Sequence, residues 1–213
     1  MRDEIANLVH PIFARGLRLR ERLLQGEEPS FEAEQAELLG LLLSEREALR
    51  WPEFGGDAAD QGGFLGARYA LACWLDELFV LDSPWSQRWN ENKLEVRLYA
   101  TNDRAWKFWD QARLAADRTQ SDALETYFIG VMLGFTGEKV DNPLQLLDWL
   151  ALTRKHLRQA GQAAWRPPPG IEPGTRVPPL RGRQALQRLL LLASAALLLA
   201  VPLVAFVLAR RLS

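Results

Sequence analysis

Residues 189–209 form an unbroken apolar run of 21 residues without a charge, interrupted only by Ser194 and Pro202. At about 1.5 Å of rise per residue, a helix of that length spans roughly 30 Å, the thickness of a bilayer's hydrocarbon core. A buried core helix is rarely so long and so apolar, so the sequence predicts a membrane crossing. Pro202 does not oppose this, because neighbouring helices or local backbone adjustment satisfy the carbonyl it frees. Only Arg210, Arg211, Leu212 and Ser213 follow. Nearly the whole chain is therefore expected on the amino-terminal side of a single crossing.

The remainder is long enough for one compact core. Residues 1–7 are polar and of mixed charge, unlike a secretory signal. The single cysteine, Cys73, leaves no intramolecular disulfide and no cysteine-based zinc site, and His10 and His156 lack ligand spacing. The formal charge of −1 conceals an asymmetry: residues 1–160 carry 19 basic against 26 acidic side chains, and residues 161–213 carry 7 against 1. An acidic domain repels phosphates, so no nucleic-acid partner is expected. Arg176, Arg181, Arg183 and Arg188 precede the apolar run and two arginines follow it, which favours a cytoplasmic amino-terminal side.

The periodicity predicts an all-α fold. Leu8, Ile12, Leu19 and Leu23 lie on one stripe of a first helix, and Arg15, Arg18 and Arg22 fall largely off it. Ser30 reads as an N-cap with Glu32 and Glu34 in the first turn. Further helices are expected over residues 64–81, 88–100, 103–117 and 122–135, and a last one opens at Pro143. Three regions follow: a helical domain over 1–160, a proline- and arginine-rich linker over 161–185, and an anchor over 186–211. Six prolines between Pro167 and Pro179 make the linker an extended spacer of roughly 40 Å.

Residues 68–81 are the most distinctive soluble segment. Between Tyr69 and Leu81 only Asp76 and Glu77 are charged, so this helix belongs at the centre of the domain. Two carboxylates there are costly unless paired or placed at the mouth of a cleft. One reading is structural, with contacts to helix N-termini, backbone amides or an arginine such as Arg68 or Arg88. The other is a recognition cleft edged by Asp76 and Glu77, with Trp74, Trp85 and Trp89 as neighbouring interface anchors. Most tryptophans are expected in the core, Trp106 and Trp109 sharing one helical face. Tyr127, Phe128 and Phe135 are assigned to packing. Gly134 and Gly137 read as a helix cap and turn, since the segment lacks the spacing of a phosphate-binding loop.

Arg68 leading an apolar helix to Asp76-Glu77, followed by Glu125 and then Leu133, Gly134, Phe135 and Gly137, resembles the DotU/TssL (IcmH/DotU) family of secretion-system inner-membrane proteins. The resemblance covers about residues 5–160. It implies a cytoplasmic domain of two small helical bundles, hooked and with a cleft, plus one carboxy-terminal transmembrane helix. Implied partners are a large IcmF/TssM-like inner-membrane protein, a TssK-like baseplate protein and a second copy of the chain in a homodimer. No cofactor is implied. Glu138, Lys139 and Val140 depart from the lysine, aromatic and arginine that usually follow this turn.

The reading is a non-enzymatic, tail-anchored, membrane-embedded component that docks a type VI secretion baseplate onto its membrane complex. Two alternatives stand beside it: a type IVB partner of an IcmF protein, and a membrane-tethered hydrolase using Asp76, Glu77 and Glu125. The anchor predicts that full-length protein sediments with membranes, its carboxy-terminal tag open to protease only from the periplasmic side. A protein that stays in the supernatant after ultracentrifugation contradicts it.

Overall fold

Twelve of the fifteen residues of one helix, Gly66–Val80, are buried, so it has no solvent face and must be enclosed by others. The computed structural model describes residues 1–43, 50–56, 63–81 and 83–164, and that helix (α4) is their axis. In chain order the elements are α1 (Asp3–Leu24), α2 (Phe31–Leu42), α3 (Pro52–Gly55), α4, α5 (Ser86–Glu91), α6 (Leu94–Tyr99), α7 (Arg104–Ala116), α8 (Asp122–Met132), a 3-10 turn (Gly137–Lys139) and α9 (Pro143–Ala164). Helices α1, α3, α5, α6, α7 and α8 all pack on α4. No strand occurs among the described residues. The expected linker and anchor lie outside them, and no described helix is long and apolar enough to cross a membrane.

Helix α1 buries Ile5, Val9, Ile12, Phe13, Gly16, Leu19 and Leu23, a stripe shifted slightly from the expected one. Gly16 is where α1 comes closest to α4. A Cβ at that position would lie 2.8 Å from both Leu75 Cδ2 and Trp74 Cζ3, so no side chain fits. Helix α2 begins as predicted, with the Ser30 hydroxyl accepting from Ala33 N at 3.4 Å. Its Glu34 then takes guanidinium hydrogen bonds from both Arg15 and Arg22 of α1. The arginines off the apolar stripe thus join α1 to α2.

Residues 88–100, expected as one helix, are two. Helix α5 ends at Asn92, whose side-chain amide donates back to Arg88 O at 2.9 Å, while its carbonyl accepts from Gln35 Nε2 at 2.7 Å. Helix α6 then restarts at Leu94 because the Asp76 carboxylate, from α4, accepts from Leu94 N and Glu95 N at 2.8 Å each. Both bonds come from outside the segment, so local periodicity could not show the break.

The same arrangement recurs. Helices α1, α6, α7 and α8 have no side-chain cap of their own at the N-terminus. Glu95 of α6 accepts from Asp103 N and Arg104 N at the start of α7, and also from the Tyr69 and Thr101 hydroxyls. Glu53 of α3 accepts from Ala123 N at the start of α8 and from Arg118. Asp122 of α8 accepts from Arg2 N, the residue that opens α1, at 2.8 Å. Each carboxylate meets unsatisfied amides and the positive end of a helix dipole.

Two aromatic groups fill the spaces between helices. Phe31, Phe79, Trp85 and Trp89 pack α2 and α5 against the end of α4, with Phe79 and Trp89 ring centroids 4.4 Å apart. Phe108, Trp109, Tyr127 and Phe135 join α7 to α8, Phe108 and Phe135 stacking at 3.8 Å. Such pairs add about 0.5–1.5 kcal/mol each beyond their buried area.

Glu95→Ala leaves two helix-start amides and a buried tyrosine hydroxyl without an acceptor. It is expected to destabilise the domain by about 3 kcal/mol or more, read as a lower urea midpoint. A loss below about 1 kcal/mol means that the carboxylate is dispensable to α7.

Candidate functional site

The two segments singled out in the sequence meet at the carboxy-terminal end of α4. Helix α8 stops through a paired turn: Phe135 N donates to Gly130 O and Gly134 N to Val131 O, both at 3.0 Å. This is a Schellman motif with Gly134 at φ +105°, as a left-handed cap requires. The chain then turns back over α7 at Gly137, where φ is +52° and a Cβ would lie 2.6 Å from Ala105 O. Only glycine meets both conditions.

Glu77 clasps that turn. Its Oε1 accepts from Thr136 N at 2.7 Å, Thr136 Oγ1 at 3.0 Å and Gly137 N at 3.1 Å. Alongside lies an open cleft of about 270 Å³, lined by Arg20 of α1, by Trp74, Glu77, Leu78 and Leu81, and by the turn residues Leu133, Gly134 and Phe135. Glu77 therefore lines a cleft while making the backbone-amide contacts of the structural reading.

Asp76 is not at the cleft edge. It is fully buried and its carboxylate accepts from Trp89 Nε1 at 2.8 Å besides Leu94 N and Glu95 N. Neighbours on a helix diverge by about 100°, so Asp76 turns into the core where Glu77 turns to the cleft. Burial pushes the Asp76 carboxyl up to about 6, although the three donors and nearby Arg104 favour the ionised form. Trp89 is likewise fully buried and presents no anchoring surface. Trp74 is 1% exposed but lines the cleft. Trp85 is half-buried and stacks on Trp89 at 6.4 Å, within the aromatic group rather than in the cleft wall.

The other motif residues hold the frame. Arg68 donates to Tyr99 Oη at 3.2 Å and to Gly55 O at 3.3 Å, tying α4 to α3 and α6. Glu125 accepts from the amino-terminal ammonium of Met1. Asp76, Glu77 and Glu125 are thus committed to three different elements, which is not the convergence that a carboxylate-based hydrolase needs. Phe135 and Tyr127 are buried in packing roles and Phe128 is half-buried. Trp106 is half exposed whereas Trp109 is buried, so the two do not share an environment. No group of three or more potential metal ligands occurs among the described residues.

Arg20, Leu78 and Leu81 were not anticipated, and Leu133 was named only for its place in the motif. Gly16, an unexpected glycine within an amphipathic helix, was the available signal that this part of α1 lies against another helix. A second cleft, of about 400 Å³, runs between α7, α8 and α9 past Trp109, Leu124, Trp149 and His156.

A sequence profile described as Type VI secretion system protein DotU matches residues 4–211. No curated protein matches the chain. The fold is similar to a solved structure, the cytoplasmic domain of TssL from Acinetobacter baumannii, with a TM-score of 0.55 and 18% identity over 73% of this chain and 98% of that one.

The folded protein holds the Asp76 proton more tightly than the unfolded chain does, since the unperturbed value is 3.8. Its favourable contribution is therefore complete below about pH 4 and lost as pH rises through about 6. The difference in unfolding free energy between wild type and Asp76→Asn should shift against wild type across that window. A difference that instead grows in favour of wild type contradicts the raised value.

Proposed function

Because the chain belongs to the DotU family of type VI secretion system proteins, we propose that it is a structural component linking that system's baseplate to its membrane complex. Its helical domain is the docking part, on the cytoplasmic side of the bacterial inner membrane. Residues 189–209, apolar and long enough to cross a bilayer, are its anchor. The expected partners are an IcmF/TssM-like membrane protein and a TssK-like baseplate protein, with the anchor supporting pairing of two copies.

One observation carries the docking role. The two family-like segments, 59 or 60 residues apart in sequence where they bond, meet at Glu77 and the Thr136-Gly137 turn, and together they wall a solvent-facing cleft. Exposed apolar side chains beside it, Leu81 at 50% and Met132 at 53%, are costly in water and suit a protein surface that becomes covered. The profile supports type VI over type IVB, since it is the type VI description that matches.

The test is affinity purification of the full-length protein from detergent-solubilised membranes, followed by mass spectrometry. Recovery of a TssM-like and a TssK-like protein is expected. Intact bait that brings down neither sinks the reading.

A further inference from the structure

Two residues that line the cleft at the end of α4, Arg20 and Trp74, carry hydrogen-bond donors without an acceptor among the described residues. Arg20 has no hydrogen-bond or ion-pair partner among the described residues, and its Nε is buried without an acceptor. The Trp74 indole, 1% exposed, also has an Nε1 with no acceptor. A buried donor left unpaired costs about 1–3 kcal/mol, and both residues line this one cleft, so acceptors are missing beside it. Glu77 shares the cleft, but its Oε1 is taken by Thr136 and Gly137, its Oε2 accepts from Gly137 N at 3.3 Å, and neither oxygen accepts from Arg20 or Trp74.

The surroundings are aliphatic. Leu17 and Leu24 flank Arg20 at i−3 and i+4 on one face of α1, 39% and 59% exposed. Leu78, Leu81 and Leu133 line the cleft itself. At about 270 Å³ the cleft is smaller than the roughly 300–1,000 Å³ of small-molecule sites, and admits a few side chains of a larger partner. A polyanion is a poor match, since Glu77 shares the cleft and residues 1–160 carry more acidic than basic side chains. A single carboxylate between aliphatic side chains meets every condition. It would take the guanidinium, and an adjacent carbonyl would take the indole N–H.

We propose that this cleft receives a protein segment presenting one Asp or Glu side chain flanked by leucine-like residues, with Arg20 as the reader of its charge. This rests on the docking role above and specifies the chemistry of what docks.

The full-length protein in detergent, wild type or Arg20→Glu, is panned against a displayed library of random 12-residue peptides. Wild type should enrich an acidic residue within one turn of Leu, Ile or Met. Arg20→Glu should abandon that preference for Lys or Arg, and bind the wild-type consensus at least about tenfold more weakly. Arg20→Gln, neutral and free of repulsion with Glu77, should weaken binding without selecting a basic residue. Arg20 makes no hydrogen bond or ion pair among the described residues, and unchanged thermal unfolding of both variants checks that the fold does not need it. The selected peptide should also shift the indole N–H resonance that Trp74→Phe removes. Enrichment without an acidic residue, or the same enrichment in all three proteins, overturns the proposal. If acidic–aliphatic peptides are selected but no secretion protein is captured from membranes, the docking role fails alone. If those proteins are captured while the peptides lack a carboxylate, the carboxylate chemistry fails alone.

Discussion

Short helices are not stable by themselves, and in this domain four helices, α6 the shortest of them, are started by carboxylates that belong to other helices. A six-residue helix such as α6 makes few internal hydrogen bonds and leaves its first amides free. Asp76 accepts two of those amides, Glu95 of that same helix accepts two at α7, Glu53 reaches α8, and Asp122 of α8 holds the residue that opens α1. The result is a relay in which placing one helix positions the cap for the next. Buried carboxylates are ordinarily a liability, and here the amides and helix dipoles they meet offset part of the desolvation, which at Asp76 still prevails. Removing one such group therefore affects two helices at once.

The cleft depends on this relay. Glu77 is one residue beyond Asp76, about 100° around the same buried helix, and it caps a turn rather than a helix. That turn is held from below by the Schellman close of α8 and from the side by Trp109 and Phe135 against α7. A wall so constrained moves little, and a rigid wall is what a docking surface needs if it is to bind without ordering itself first. Among the described residues, Arg15, Arg104 and Trp109 also each keep one buried donor without an acceptor; Arg20 and Trp74 differ in that both line this cleft.

Much of this was legible. Ser30 announced α2, Pro143 announced α9, and an apolar run broken only by Asp76 and Glu77 announced a central helix. The family resemblance rested on Arg68, Asp76, Glu77, Glu125 and the turn from Leu133 to Gly137, and the family profile matches residues 4–211. What misled was the assumption that adjacent acids act together. Asp76 and Glu77 look like one acidic edge in sequence, yet the first is sealed in the core and the second reaches the cleft. The division of residues 88–100 into two helices was equally hidden, since Gln35 and Asp76, which hold its two sides, are distant along the chain.

Local chemistry by itself determined the helical class, the central place of residues 68–81, and the left-handed glycine that ends α8, because each follows from side-chain periodicity or backbone sterics within a few residues. Tertiary structure alone decided which carboxylate caps which helix, which of two neighbouring acids meets solvent, and that Arg20 would face a cleft without a counter-ion. Those outcomes turn on contacts between groups dozens of residues apart, and burial is a property of the assembled helices that no single segment carries.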